Sequence, residues 1–162
     1  MIVIVIMGVV YTLAVTSFPK KGEAAIAQLS LLNLKEYLRS LEYEKSAEIL
    51  CLDDCQSCDI LVDGEKNATI ENFLDDSVEV YRYDYRLGPQ EIMEKVYFNE
   101  EDVQESVCFS YKVDKQGVGD QVLVKFHKSV YDYTHYILPT QKYSSLENAV
   151  TVKEKLVEEV LR

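Results

Sequence analysis

Residues 1–18 read MIVIVIMGVVYTLAVTSF and contain no charged side chain. An α-helix of this length is about 27 Å long, close to the ~30 Å thickness of a hydrocarbon core. A buried helix that is apolar on every side needs a larger domain around it. A cleaved signal peptide needs a basic start, whereas the first basic residue here is Lys20. The segment therefore favours a membrane span over a core helix or a signal peptide.

The apolar pattern continues beyond Pro19, Lys20 and Lys21 in a second stretch that is amphipathic. Its apolar residues recur at three- and four-residue steps: Ile26, Leu29, Leu34, Tyr37, Leu38 and Leu41. Such spacing predicts a helix with one apolar stripe, packed against a sheet. We therefore expect one long helix with a kink or short break at Pro19. The two lysines would place this end of the span in the cytoplasm by the positive-inside rule, and the cysteines described below argue for the opposite orientation.

The first fourteen residues, MIVIVIMGVVYTLA, resemble the apolar part of the N-terminal helix of type IV pilins and type II secretion pseudopilins. In that family a basic leader, a glycine cleavage site and an early glutamate precede this part. None of the three stands before Met1, so we expect Met1 to be an internal methionine of a chain that starts upstream. The resemblance covers residues 1–43, and beyond them only the order of elements agrees.

The resemblance implies a structural subunit of a type IV pilus or a type II secretion pseudopilus. Its filament helix would make contacts through Ile4, Val5, Gly8, Val9 and Leu13. The implied partners are other pilin or pseudopilin subunits, an inner-membrane assembly platform with its ATPase, and membrane lipid. The implied location is the cytoplasmic (inner) membrane, crossed once, with the C-terminal domain in the periplasm or outside the cell.

From residue 46 onward the sequence has the alternating pattern of β-strands. The expected fold class is α+β: a long N-terminal helix, membrane-spanning in its first half, packed on an antiparallel sheet. The expected domains are a transmembrane half at 1–18, an amphipathic half at 19–45, and an extracytoplasmic β domain at 46–162. This β domain would end in an amphipathic helix from Leu146 to Arg162, with Val152, Leu156 and Val160 covering the sheet.

Several strands can be placed by alternation and by turn residues. Ser46–Leu52 and Ser57–Val62 read as a hairpin with a loop at 53–56. Residues 78–85 read as a strand, and residues 92–98 fit either a helix or a strand. Residues 106–113 and 121–126 are predicted to pair as a second hairpin, and residues 129–138 form a further strand that ends before Pro139.

Four cysteines, Cys51, Cys55, Cys58 and Cys108, are the most reactive groups in the sequence. The C-x3-C-x2-C spacing also occurs in radical enzymes with an iron–sulfur cluster, but this chain is too short for their barrel. Two disulfides are favoured, because an even cysteine count after an apolar anchor fits an oxidising compartment. The predicted hairpin would place Cys51 opposite Cys58 and leave Cys55 for Cys108. A zinc ion held by four thiolates and free buried thiols are the alternatives.

The remaining polar residues give no sign of catalysis. The net charge is −11, and no cluster of lysine or arginine predicts nucleic-acid binding. The two histidines, His127 and His135, are eight positions apart, and no phosphate-binding, dinucleotide or hydrolase motif occurs. Asp53-Asp54 and Asp75-Asp76 are acidic pairs without the spacing of a calcium loop. We therefore expect a protein that is not an enzyme and has no cofactor or metal.

One short motif concerns modification rather than catalysis. Asn67-Ala68-Thr69 matches the acceptor sequence for N-linked glycosylation, and Glu65 stands two residues before the asparagine. In bacteria that possess the machinery, an acidic residue at that position is favourable. The competing interpretation is an ordinary surface turn.

Two other functions compete with a filament subunit. One is a periplasmic binding module anchored by a single span, with no role in a filament. The other is an anchored thiol–disulfide enzyme, which usually places its C-x-x-C motif at the start of a helix. Cys55-Gln-Ser-Cys58 falls in a predicted hairpin, which argues against that enzyme.

Overall fold

The structure, a computed structural model, describes residues 29–92, 95–98 and 104–160. Ten strands and two helices lie within these ranges. In chain order they are α1 (Leu34–Ser40), β1 (Ser46–Leu52), β2 (Ser57–Val62), β3 (Glu65–Glu71), β4 (Glu79–Asp84), β5 (Gly88–Glu91), β6 (Lys95–Phe98), β7 (Gln104–Asp114), β8 (Leu123–Phe126), β9 (Ser129–Asp132), β10 (Gln141–Tyr143) and α2 (Leu146–Val160).

The strands form two five-stranded antiparallel sheets. The first sheet has the order β3-β2-β1-β7-β6, and the second has the order β10-β9-β8-β4-β5. In the first sheet β1 is central, with Ile49 opposite Ile60 on one side and Tyr111 on the other. Strand β7 buries every second residue, which is the pattern of a sheet with one face on a core. Strand β3 forms an edge of this sheet.

The second sheet lies between two apolar cores. One core joins the inner face of the first sheet, α1, and second-sheet residues such as Val80 and Val124. A smaller core on the opposite face joins Leu123 and Val130 to Ala149 of α2. The layers are therefore the first sheet with α1, then the second sheet, then α2. Each layer buries an apolar face that could not remain stable alone in water.

A pair of buried tyrosines connects the two sheets. The rings of Tyr111 on β7 and Tyr133, just after β9, have centroids 4.5 Å apart, and both side chains are fully buried. The Tyr133 hydroxyl donates a hydrogen bond to the carbonyl of Leu31, in the turn before α1. At Gly119 a Cβ atom would lie only 1.9 Å from the Tyr111 hydroxyl oxygen. Glycine is therefore required there by the position of the Tyr111 ring.

The predicted long N-terminal helix is wrong in the part of the chain that the structure describes. Between residues 29 and 45 only Leu34–Ser40 is helical, and Leu41 already has extended backbone angles. Ten strands in two sheets replace the single sheet packed on a long helix, so the predicted fold class is corrected to a mainly antiparallel two-sheet architecture. The C-terminal helix of that prediction is present as α2. The predicted segment 1–18 lies outside the described residues.

The causes are a local contact before α1 and the pattern of burial along α1. Before the helix, the backbone N–H and the hydroxyl of Ser30 both donate to the side-chain oxygen of Asn33, at 2.8 and 3.1 Å. This side-chain bonding competes with helix continuation. The buried positions of this segment are Leu31, Leu34, Lys35 and Leu38. The buried stripe therefore contains Lys35, whereas the predicted stripe contained Tyr37 and Leu41. The predicted apolar stripe did not include Lys35, and lysine is seldom buried.

Three further predictions about the β domain need correction. Strands β7 and β8 do not form a hairpin: β8 pairs with β4 and β9 in the second sheet. The strand predicted at 129–138 ends at Asp132. Helix α2 buries Ala149 and Lys153, whereas Val152, Leu156 and Val160 face outward. By contrast, the hairpin of β1 and β2 has the predicted bounds and loop.

Among the residues that the structure describes, no helix has the length and hydrophobicity needed to cross a membrane. This finding is contrary to the predicted single-pass location in the cytoplasmic membrane and to the transmembrane character of the chain, and we correct both. Two disulfides, described next, fit an oxidising compartment outside the cytoplasm.

Two disulfide bridges cross the first sheet. Cys51 on β1 is bonded to Cys58 directly opposite on β2, with a Cα–Cα distance of 4.0 Å. Cys55, in the loop between these strands, is bonded to Cys108 on β7, with a Cα–Cα distance of 5.7 Å. The bridges therefore connect β1 and its loop to both neighbouring strands. This is the pairing that the predicted hairpin favoured.

The two bridges should stabilise the fold unequally, because they close loops of different length. Their sequence separations are 7 and 53 residues. In the chain-entropy model the short loop contributes about 2.5 kcal/mol and the long loop about 4 kcal/mol. Replacing Cys55 and Cys108 together by alanine should therefore lower the free energy of unfolding more than replacing Cys51 and Cys58. Urea denaturation of both double variants measures this difference, and equal or reversed losses would contradict it.

Asp63 fastens the start of β1 to the turn between β2 and β3. Its carboxylate accepts hydrogen bonds from the backbone N–H groups of Glu44, Lys45 and Ser46, at 2.9, 2.6 and 3.0 Å. These bonds stabilise the ionised form and lower the pKa of Asp63. Asp63 and Gly64 both have positive φ, which suits a tight turn.

Because the pKa of Asp63 is lower in the folded chain than its ordinary value of 3.8, the unfolded chain takes up the proton first as pH falls. The stabilisation is therefore present above that ordinary value and is lost as pH falls through the folded pKa. Asp63→Asn keeps a residue that tolerates positive φ, so the turn should survive. In urea denaturation, the difference in free energy of unfolding between the parent protein and the Asp63→Asn variant should be smaller at pH 3 than at pH 6. Asp76→Asn, in an exposed loop, is the control, and a gap independent of pH would contradict the assignment.

Candidate functional site

The structure places the predicted site residues in separate parts of the molecule. Ile4, Val5, Gly8, Val9 and Leu13 lie outside the described residues. The four cysteines are used in the two bridges. Asn67 lies on the edge strand β3, with an exposed side chain.

Within residues 29–92, 95–98 and 104–160, no group of three or more metal-ligating side chains comes together. His127 lies in the turn between β8 and β9, where its ring contacts Ser77 and Asp75. His135 lies 3.6 Å from the carboxylate of Asp132. The predicted acidic pairs are in two different loops, where Asp54 and Asp75 each accept a local backbone N–H.

The most distinctive surface feature is an exposed apolar loop between β9 and β10. Tyr136, Ile137 and Leu138, which we call the apolar loop, are 59%, 91% and 52% exposed. Leu32, in the turn before α1, is also largely exposed. Scattered apolar residues are common on surfaces, but three large consecutive ones indicate an interaction surface when their backbone is held in place.

Two cations from α1 hold this loop. The Lys35 ammonium donates to the carbonyls of His135 and Leu138, at 2.9 and 2.6 Å. The Arg39 guanidinium donates to the carbonyl of Tyr136 at 2.6 Å, and to that of Gly117 at 2.7 Å. The carbonyls on both sides of Ile137 and at both ends of the loop are thus fixed by α1. The side chains of the loop are left free to face outward.

Burying the charge of Lys35 is unfavourable, and its hydrogen bonds to the carbonyls of His135 and Leu138 offset this cost. Its side chain is fully buried, and burial, together with the nearby Arg39 charge, lowers the pKa of Lys35. Hydrogen bonds from a charged donor are stronger than neutral ones, and two carbonyls accept them here. Burying a lysine for this purpose is unusual, since lysine is almost never fully buried without partners.

The base of the loop is fixed from the other side by α2. Asp132, at the end of β9, is completely buried and pairs with Lys153 of α2 at 2.7 Å. Its second carboxylate oxygen accepts hydrogen bonds from the backbone N–H and the hydroxyl of Thr134, at 2.9 and 2.7 Å. The residues that hold the loop were not among those predicted from the sequence: Lys35, Arg39, Asp132 and Lys153. A charged residue inside an apolar stripe, as at Lys35, is the one signal that could have revealed them.

The apolar loop lies beside the point where the described chain begins. Leu29 packs against the larger core, and the carbonyl of Leu31 accepts the hydrogen bond from Tyr133, which precedes the loop by three residues. The described part of the chain therefore begins on the side of the domain that carries the apolar loop. Burial raises the pKa of Tyr133 well above its ordinary value, so its hydroxyl keeps the proton that it donates.

A second concave feature lies between the two sheets. This groove has a volume of about 980 Å³, and its apolar floor includes Val80, Phe109 and Val122. Its charged lining residues are Asp53, Asp76, Glu79, Glu91 and Asp120, with Arg82 as a single cation. The hydrogen bond from Lys125 lowers the pKa of Glu79, which favours its ionised form. The groove thus combines an apolar floor with a negative rim.

Searches against protein-family models, curated proteins and solved structures found no match to this chain. The resemblance to pilins and pseudopilins therefore stays a prediction from the sequence.

Proposed function

We propose that this protein is a structural subunit of an extracytoplasmic filament of the type IV pilin and pseudopilin class. The apolar sequence of residues 1–18 supplies the principal assembly contact, and the apolar loop supplies a lateral contact between domains. One observation carries the proposal: an exposed apolar loop, held by two cations, lies close to the residues at which the described chain begins.

The apolar loop is suited to a contact between subunits because its backbone is already held in place. Ordering a flexible loop on binding costs about 1–2 kcal/mol per residue in backbone entropy. Because Lys35 and Arg39 already hold the loop carbonyls, most of that cost is met during folding. A contact repeated along a filament benefits at every subunit from such preorganisation.

Other features of the domain are compatible with a location outside the cytoplasm. Two disulfides clamp a small β domain, as is common in oxidising compartments. The net charge of −11 over the whole chain favours solubility and limits non-specific association. Subunits joined by different patches on the two partners form open helical filaments. The partners proposed are other pilin or pseudopilin subunits and an assembly platform in the inner membrane.

Ile137→Asp tests the proposal, because this side chain is 91% exposed and its replacement should not disturb folding. In the native organism, the variant should lower the amount of this chain in the sheared filament fraction at least tenfold. The physical reason is that a carboxylate would have to be desolvated in each lateral contact. Leu87→Asp is the matched control, since Leu87 is 71% exposed in the turn between β4 and β5, and it should remain near wild type.

Circular dichroism and unfolding curves should be the same for both variants and the parent protein. Equal effects of the two variants on filament content would contradict a role for the apolar loop. A native protein that purifies without any other subunit, and that is absent from every filament fraction, would overturn the proposed function itself.

The second candidate function is a stand-alone extracytoplasmic binding module, and the groove between the sheets favours it. The groove has an apolar floor, five carboxylates and one guanidinium; Glu79 is paired with Lys125, and the other carboxylates suit a cationic ligand with an apolar part. A short peptide with lysine and bulky apolar side chains has this chemistry.

Titration of the full chain with two peptides tests this second candidate. The peptides share their apolar residues and differ only in carrying lysine or glutamate. The lysine peptide alone should bind, and the double variant Asp76→Asn with Glu91→Gln should weaken its binding at least fivefold, by loss of attraction at the rim. Glu65→Gln with Glu71→Gln, on β3, is the charge-matched control. Binding of both peptides, or equal weakening by both double variants, would contradict the assignment.

A further inference from the structure

Asn67 is the asparagine of the one N-x-S/T sequence in the chain. It lies on β3, which is the edge strand of the first sheet and has β2 as its neighbour. The core-facing residue of this strand is Ile70, which is buried, whereas Asn67 and Thr69 are exposed. The competing interpretation of the motif as an ordinary turn is therefore wrong: the motif lies in a strand.

The backbone at Asn67 departs from regular pairing. Ile60 of β2 is opposite Ala68, and the next residue, Leu61, is opposite Lys66. Asn67 is consequently the extra residue of a β-bulge and has no direct partner on β2. A bulge bends an edge strand and re-aims the side chain of the extra residue. Within the described parts of the chain, the Asn67 amide makes no hydrogen bond that a substituent would have to break.

The neighbouring side chains leave the outer face open. Thr69 donates a hydrogen bond from its hydroxyl to Asp59 at 2.8 Å, and Lys66 pairs with the same carboxylate at 2.8 Å. These contacts lie along the surface of the first sheet and do not cover Asn67, which is exposed. A bulky polar group on Asn67 would project into solvent without displacing a core residue.

We propose that Asn67 is a site of N-linked glycosylation. The two disulfides support exposure of the chain to an oxidising compartment, where lipid-linked glycans are transferred to secreted proteins. The donor is a glycan linked to a lipid pyrophosphate. In the transfer a bond forms between the sugar C1 and Nδ2 of Asn67, the bond from C1 to the phosphate oxygen breaks, Nδ2 loses one proton, and the lipid pyrophosphate leaves.

The glycan also has a physical role at this place in the fold. An exposed edge strand presents unpaired backbone groups that can pair with another chain. Strand β3 already carries charged residues at both ends, Glu65 and Glu71. A glycan on the bulge residue adds a bulky, strongly hydrated group at the centre of the same edge. Pairing of β3 with a second sheet would then be blocked.

Mass spectrometry of the full-length protein purified from its native source tests this proposal. Cleavage after Glu65 and Glu71 releases the peptide 66–71, which should carry a saccharide on Asn67. Asn67→Gln and Thr69→Ala should abolish the added mass, because each destroys the acceptor sequence. Thr69→Ser should retain it, because serine preserves both the acceptor sequence and a hydroxyl at this position.

The unmodified mass of the peptide in the native protein would overturn the proposal. A saccharide that persists in Asn67→Gln would overturn it as well, since the sugar would then be attached elsewhere. The result is independent of filament formation, so failure of one proposal leaves the other standing.

Discussion

Two buried tyrosine rings connect parts of the chain that are far apart in sequence. Tyr111 belongs to the first sheet and Tyr133 to the end of the second, and their rings meet at 4.5 Å. Tilted aromatic contacts of this kind add about 0.5–1.5 kcal/mol to the free energy of burial. Tyr133 also bonds to the turn before α1, so a single side chain joins both sheets and the first helix. The apolar loop begins three residues after Tyr133, and its position depends on this contact.

The loop also shows why buried charges occur in a domain of this size. Lys35 and Asp132 are both withdrawn from water, at considerable cost, and each is surrounded by hydrogen-bonding partners. Their partners are backbone carbonyls, a threonine and a lysine from elements that flank the loop. The charged groups thereby specify one loop conformation, which apolar packing alone does not do, because apolar contacts are not directional. An outward-facing Ile137 is the result.

The hairpin of β1 and β2 could be predicted from the sequence because its signals are local. Alternation from Ser46 and a loop at 53–56 were sufficient, and the opposition of Cys51 and Cys58 followed from them.

The partner of β8 could not be predicted, because adjacency in sequence does not decide pairing when two sheets compete for a strand. The same limit applies to α1. Its apolar spacing indicated a long helix, but the local bond between Ser30 and Asn33 competes with that helix, and the burial of Lys35 depends on tertiary contacts. The outward position of Val152, Leu156 and Val160 could not be predicted either. An amphipathic pattern shows that a helix has an apolar face, but it does not show whether that face packs against a sheet.

The crossed disulfides have a mechanical consequence. The bridge from Cys55 to Cys108 spans 53 positions and bypasses β2 through β6. When the chain is pulled from its two ends, tension passes through the sulfur atoms, and residues 59–107 carry none of it. At about 3.4 Å per extended residue, roughly 180 Å of the chain's contour length cannot extend while the disulfide is intact. A domain built in this way resists lengthening under load even after its hydrogen bonds have yielded.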